Sequence, residues 1–186
     1  MKISVLDLGT NTFHLLILEK YADGTIQELH HEKRFVRLGK GGISQGFIAE
    51  DAYQRAFSAL NDYMEIIKNH GEMNAIRATA TSALRSASNG QEFIDEVKAK
   101  IGFDLEIISG DQEAELIFDG VTSDIPLGED KCLIMDIGGG SVEFIIGSER
   151  GIRWKQSFEI GAQRLFDLFY KEDPIPKKSI KELHYY

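Results

Sequence analysis

Cys132-Leu133-Ile134-Met135-Asp136-Ile137-Gly138-Gly139-Gly140-Ser141-Val142-Glu143-Phe144-Ile145-Ile146 restates, at one constant offset, the segment Ile3-Ser4-Val5-Leu6-Asp7-Leu8-Gly9-Thr10-Asn11-Thr12-Phe13-His14-Leu15-Leu16-Ile17. Asp7 aligns with Asp136, Gly9 with Gly138 and Thr12 with Ser141. Each copy reads as an apolar strand, an Asp-x-Gly turn, a small polar turn and a second apolar strand. Such a hairpin offers backbone N–H groups to an anion and an Asp where a metal could sit. Two of them facing each other would grip a phosphate chain from both sides.

Outward from these hairpins the chain alternates strands and helices. A third strand is expected over 25–36, then a Gly-rich mobile loop over 38–46. Tyr53, Phe57, Leu60, Met64 and Ile67 recur at helical spacing, with Gly71 as the stop. Further elements are a strand over 75–80, a helix over 91–101, a strand over 105–109 and a helix from about Asp111 to Val121, capped by Ser109 or Asp111. The polar stretch 122–129, with Pro126 and Gly128, reads as a crossing between domains, so the expected units are 1–123 and 124–186. After the second hairpin come a strand over 152–160, a helix over 162–170 and a helical start over 177–186. The fold class is α/β. A second unit of this size is marginal by itself, so the 186 residues are expected to be part of a longer protein.

Bulk properties narrow the function. A net charge of −9 and a pI near 5.1 argue against nonspecific binding to nucleic acid or to an anionic membrane. A local nest of amides with a divalent cation could still hold a phosphorylated substrate. One cysteine, Cys132, precludes an internal disulfide and suits a reducing, cytoplasmic compartment. Neither a signal peptide nor a membrane-length apolar run is legible. The five histidines show no zinc-ligand spacing and read as structural or exposed. There is no Gly-x-x-x-x-Gly-Lys-Ser/Thr loop and no dinucleotide fingerprint opening a helix.

The candidate residues follow from the turns. Gly9, Thr10, Asn11 and Thr12 form a first phosphate loop; alone they would read as a plain hairpin turn, and the second copy tips the balance. Gly138, Gly139, Gly140 and Ser141 form the second. Three successive glycines carry a large entropic cost, which makes sense if something large must approach the backbone. Asp7 and Asp136 are candidate metal residues rather than simple turn caps. Glu143 leaves the second loop where the first copy has His14. Arg85, after Thr79, Thr81 and Ser82, can clamp phosphate bidentately or be a surface arginine. Arg37 and Lys40 are weaker candidates of the same kind.

Asp7-Leu8-Gly9-Thr10-Asn11-Thr12, Ser109-Gly110-Asp111-Gln112-Glu113-Ala114 and Asp136-Ile137-Gly138-Gly139-Gly140-Ser141-Val142-Glu143 together resemble the exopolyphosphatase / guanosine pentaphosphate phosphatase (Ppx/GppA) family. Thr81-Ser82-Ala83-Leu84-Arg85 matches a fourth family segment. The first and third motifs are shared across the sugar kinase / Hsp70 / actin superfamily, and the Ser-Gly-x-x-Glu-Ala segment points to the phosphatase branch. The resemblance implies two ribonuclease-H-like (actin-like ATPase) domains in tandem around a cleft, the second incomplete in this chain. It implies Glu113 as catalytic base against the attacking water. It also implies Glu143 in the catalytic cleft, and Mg2+ or another divalent cation held by Asp7, Asp136 and Glu143. The substrate would be inorganic polyphosphate or a guanosine polyphosphate, with no nucleic-acid or membrane partner and a homodimer as the candidate assembly. By spacing alone, Glu113 is a first-turn helix acid like Asp111 and Glu115.

Rival readings are a sugar- or acetate-kinase-like phosphotransferase, a nucleotide-switched Hsp70- or actin-like binding protein, and a catalytically inert fragment that only binds anions or partners. Phosphate release without an acceptor distinguishes the hydrolase.

Overall fold

The computed structural model describes all residues from Met1 to Tyr186, and the chain divides into two units, Met1–Ile107 and Ile108–Tyr186. In the first unit β1 (Lys2–Leu8) and β2 (Thr12–Lys20) form the expected hairpin, and β3 (Ile26–Phe35) extends it. Helix α1 (Glu50–Asn69) precedes β4 (Ala75–Ala80), and the short helix α2 (Ser82–Arg85) follows it directly. Helix α3 (Gly90–Lys100) and the two-residue β5 (Glu106–Ile107) complete the unit. The sheet order is β3-β2-β1-β4-β5, with β1 antiparallel to β2 and parallel to β4.

Alternation along the strands decides the core. Leu6, Leu8, Phe13, Leu15, Ile17, Ala78 and Ala80 lie in one buried cluster with Ala52, Ala56, Leu60 and Tyr63 of α1 and with Phe93 and Val97 of α3. Asp7, His14 and Thr79 therefore sit on the opposite face. The Gly-rich segment is packed rather than mobile. Leu38 and Ile43 are buried, Ile43–Gln45 is a 3-10 turn, and a Cβ on Gly42 would lie 2.2 Å from the Phe47 carbonyl oxygen.

The second unit contains α4 (Gly110–Asp124), the sheet β6 (Cys132–Ile137), β7 (Val142–Ser148) and β8 (Gly151–Phe158), and helices α5 (Ala162–Phe169) and α6 (Lys177–Tyr185). The unit boundary falls before α4, not at the expected 123/124. Ala114 and Phe118 of α4 pack with Ile145 of β7, so the helix belongs to the sheet that follows it, and the polar stretch from Thr122 begins inside the helix. Strand order is β6-β7-β8, antiparallel throughout. The face with Ile145 carries α4. The other face leaves Leu133, Met135 and Ile137 more than half exposed. By the internal repeat, this second face corresponds to the one that α1 and α3 cover in the first unit.

Candidate active site

The sequence repeat is a structural repeat. Gly9 N–H donates to the Thr12 carbonyl at 3.1 Å, and Gly138 N–H donates to the Ser141 carbonyl at 3.0 Å. A Cβ on Gly9 would stand 2.8 Å from that oxygen, closer than side chains come, and one on Gly138 would stand 3.0 Å from its counterpart, a tight fit in the same place. Thr10 and Ser141 are buried polar residues within these loops. Asn11 Oδ1 is also buried and has no hydrogen-bond partner. Burying such a group without a partner is costly, and a 180° turn of the amide would present Nδ2 as a donor instead.

Strand register turns each Asp into the member of a row. In the first unit Thr79, Asp7, His14 and Lys33 stand side by side across β4, β1, β2 and β3. In the second, Asp136, Glu143 and Ser157 stand side by side across β6, β7 and β8. Glu143 is 1% exposed, and the Ser157 hydroxyl donates to its Oε1 at 2.7 Å. Asp136 is exposed. The first row mixes an acid with a histidine and a lysine; the second sets two carboxylates face to face.

No group of three or more His, Cys, Asp or Glu side chains is placed to hold a metal ion. A carboxylate pair at the mouth of a phosphate loop does fit magnesium, which keeps several waters and takes one or two carboxylates together with substrate phosphates.

Glu113 is fixed by a capping box. The Ser109 Oγ accepts from Gln112 N–H at 3.1 Å, and the Gln112 side-chain Oε1 accepts from Ser109 N–H at 2.8 Å. Glu113 N–H donates to the Ser109 carbonyl at 2.9 Å, so this half-buried acid stands in the first turn of α4. That helix lies on the face carrying Asp136, Glu143 and Ser157, because Ile145 and Lys155 alternate onto the same side. Lys155 Nζ donates to the Asp111 carbonyl at 3.0 Å and pairs with the Glu115 carboxylate.

Arg85 ends α2, whose entry is tied to the first loop: Thr81 N–H donates at 3.3 Å to the carbonyl of Leu8, the residue before Gly9. Asp7, the first loop and the α2 segment therefore gather at the carboxyl ends of β1 and β4, the usual place for ligands in open α/β sheets. Glu113, Asp136, the second loop and Glu143 gather in the second unit. Arg37 is the one non-glycine residue with positive φ, 54°, and its N–H donates to the Asn11 carbonyl at 2.8 Å. Lys40 is exposed one residue beyond Gly39, whose N–H reaches the Thr10 carbonyl. Four of the five histidines lie on β2, β3 and at the end of α1, where the His30 and His70 rings stand 5.3 Å apart, and His184 lies on α6.

The model of the Ppx/GppA phosphatase family matches residues 16–186. The chain belongs to the Ppx/GppA phosphatase family. A curated relative, the guanosine-5'-triphosphate,3'-diphosphate pyrophosphatase of Photobacterium profundum, is 35% identical over 169 residues, covering 91% of this chain and 33% of its own length. The solved exopolyphosphatase of Cytophaga hutchinsonii is 49% identical with a TM-score of 0.92, covering 100% of this chain and 59% of that one. The Aquifex aeolicus Ppx/GppA family member is 28% identical with a TM-score of 0.73, covering 98% of this chain and 58% of that one. The chain thus spans about three fifths of these solved relatives and a third of the curated one. The ribonuclease-H-like, actin-like α/β fold expected from the motifs is the fold of these relatives.

Sequence reasoning missed Gly161 and Arg164, at the start of α5, which hold the second loop from behind. One signal was readable: α5 starts after Glu159-Ile160-Gly161 with no Ser, Thr, Asp or Asn at its cap position. A helix without a capping side chain must satisfy its first N–H groups elsewhere.

Proposed function

We propose that this protein is a phosphoanhydride hydrolase that releases the terminal phosphate of inorganic polyphosphate or of guanosine pentaphosphate, acting in the cytoplasm with magnesium. The observation that carries the proposal is the pair of Asp-x-Gly loops with the same Gly-to-Thr/Ser turn hydrogen bond, one of them in the same unit as the capped Glu113. The names of the relatives support the two substrates: one is a guanosine-5'-triphosphate,3'-diphosphate pyrophosphatase and one an exopolyphosphatase. The single cysteine and the acidic composition support the compartment and the absence of a nucleic-acid partner. No helix is long and apolar enough to cross a membrane.

In this mechanism the amides of Gly9–Thr12 and Gly138–Ser141 bind phosphate oxygens, and Arg85 adds a bidentate contact. Glu113 orients a water in line with the terminal phosphorus and takes its proton. The water oxygen bonds to phosphorus as the P–O–P bridge breaks, and the bridging oxygen leaves with the shortened chain. Asp136 and Glu143 would hold magnesium, which when bound would neutralise charge on the phosphates and on the acids themselves, and Asp7 is the matching candidate metal residue of the first repeat. Ser157 keeps one oxygen of buried Glu143 oriented.

The test is phosphate release from long-chain polyphosphate and from guanosine pentaphosphate with magnesium, by protein made from its complete gene. Glu113→Gln should lower kcat by roughly 10²–10⁴-fold with substrate binding retained. The faster substrate of the wild type names the branch. Transfer to an added acceptor with no free phosphate would replace the hydrolase with a kinase.

A further inference from the structure

The second loop and helix α5 satisfy each other. Ala162 N–H donates to the Gly138 carbonyl at 3.0 Å. Gln163 and Arg164 N–H both donate to the Gly139 carbonyl, at 2.8 and 3.1 Å. Gly161 N–H donates to the Gly140 carbonyl at 3.1 Å, and the Arg164 side-chain Nε donates to the same oxygen at 3.0 Å. The first N–H groups of a helix have no partner inside it, and here three loop carbonyls take them all.

The direction of the loop's own N–H groups follows from peptide geometry. These bonds are trans, and in a planar trans peptide the carbonyl of one residue points opposite to the N–H of the next. Carbonyls of Gly138, Gly139 and Gly140 turned onto α5 therefore turn the N–H groups of Gly139, Gly140 and Ser141 away from it. These three donate to no carbonyl or side chain of the protein, although Gly140 and Ser141 are buried. Buried N–H groups are rarely left without a partner, and a row of them facing one way forms an anion-binding nest.

The first loop has the same kind of support from an unrelated segment. Gly39 N–H donates to the Thr10 carbonyl at 2.9 Å and Arg37 N–H to the Asn11 carbonyl at 2.8 Å. The N–H groups of Asn11 and Thr12 are turned the opposite way by the same planarity. Each support contains a glycine with no room for a side chain. A Cβ on Gly39 would stand 2.5 Å from Thr10 Cγ2, and one on Gly161 would stand 2.4 Å from both backbone N and C of Gly140.

We propose that Gly161 and Arg164 are positioning residues for phosphate binding: by holding the carbonyls of Gly138–Gly140 they aim the Gly139, Gly140 and Ser141 N–H groups at the substrate anion. Gly39 and Arg37 do the same for the first loop. The proposal rests on the reading of the loops as phosphate sites.

The experiment is a titration with inorganic tripolyphosphate and magnesium, following amide resonances of Gly139, Gly140 and Ser141 in protein made from its complete gene, together with steady-state hydrolysis. Wild-type amides should shift on titration. Gly161→Ala should fold, by circular dichroism, yet bind tripolyphosphate at least tenfold more weakly with those three shifts lost. Arg164→Met, which introduces no clash, should weaken binding several-fold and raise KM more than it lowers kcat. Arg164→Lys, lacking a planar Nε donor, should not restore it. If both folded variants titrate like wild type, the positioning role is overturned while the phosphate reading stands. If Gly161→Ala fails to fold, Arg164→Met decides alone by the same criterion. If wild-type amides do not respond, the phosphate reading falls and the positioning role falls with it.

Discussion

Asp136 and Glu143 stand directly opposite each other across the β6–β7 pair, in the register positions that Asp7 and His14 occupy across β1–β2. One repeated hairpin therefore yields two different electrostatic sites. The first row places an acid beside a histidine. The second places two acids together, one of them almost fully buried.

Like charges directly opposite on neighbouring strands are destabilising by a few tenths to about 1 kcal/mol, so the second row is unfavourable without a cation. Asp136→Asn should therefore stabilise the metal-free protein by up to about 1 kcal/mol while lowering activity. Wild-type Tm should rise with magnesium in the presence of tripolyphosphate, and the variant's should stay flat. Differential scanning calorimetry with and without the cation checks both halves. A variant that is destabilised without metal and still gains Tm with it contradicts the account.

Tyr63 carries a pH dependence with a defined sign. Its ring is fully buried in α1, and its hydroxyl donates to the Phe13 carbonyl at 3.0 Å, one residue past the first loop. Burial, helped by the nearby Glu32 charge, pushes the phenol up to about 12 from its ordinary 10.0. The folded state holds this proton more tightly than the unfolded state. The stability from Tyr63 is thus complete below pH 10.0 and is lost as pH rises from there through about 12. Tyr63→Phe should cost about 1 kcal/mol at neutral pH and flatten the alkaline fall in Tm. Absorbance at alkaline pH should lose one late-titrating tyrosine in the variant.

Much of this was legible in the chain because its cause is local. The two hairpins and their loops repeat in sequence since each turn folds against its own Thr or Ser carbonyl and leaves little or no room for a Cβ. Helix α1 shows its buried side every third or fourth residue. What was not legible depends on distant partners. Helix α4 joins the second unit because Ala114 and Phe118 meet Ile145, far along the chain, while its polar last turn resembles a linker. The segment 38–46 has the composition of a mobile loop, yet its glycines permit close packing around buried Leu38 and Ile43. Helix α2 spans four residues, too few to show a period. The support of the second loop by Gly161 and Arg164 pairs backbone groups, which leave little trace in side-chain pattern.

Gly147 tests the packing of α4 on the sheet. A Cβ there would lie 2.4 Å from Phe118 Cε2, a ring that is 8% exposed and has little room to withdraw. Gly147→Ala should destabilise the second unit by about 1–3 kcal/mol through overpacking. Adding Phe118→Leu should recover part of the loss, read as a non-additive double-mutant cycle in chemical denaturation. Strict additivity would mean that the two residues do not press on each other.

Ser109 links stability to chemistry at Glu113. Its hydroxyl oxygen accepts from Gln112 N–H, its carbonyl accepts from Glu113 N–H, and its own N–H donates to the Gln112 side chain. Ser109→Ala removes one arm of the box and should cost about 1 kcal/mol. The first turn of α4 then frays more often, and an acid that must hold a water in line spends less time in place. The expected outcome is a fall in kcat of several-fold with KM nearly unchanged, because the phosphate loops are untouched. Ser109→Asp can accept the same N–H hydrogen bond and should restore the stability. If it restores Tm and kcat together, positioning of Glu113 is the shared cause; if Tm returns and kcat does not, Ser109 has a role in the reaction separate from the cap.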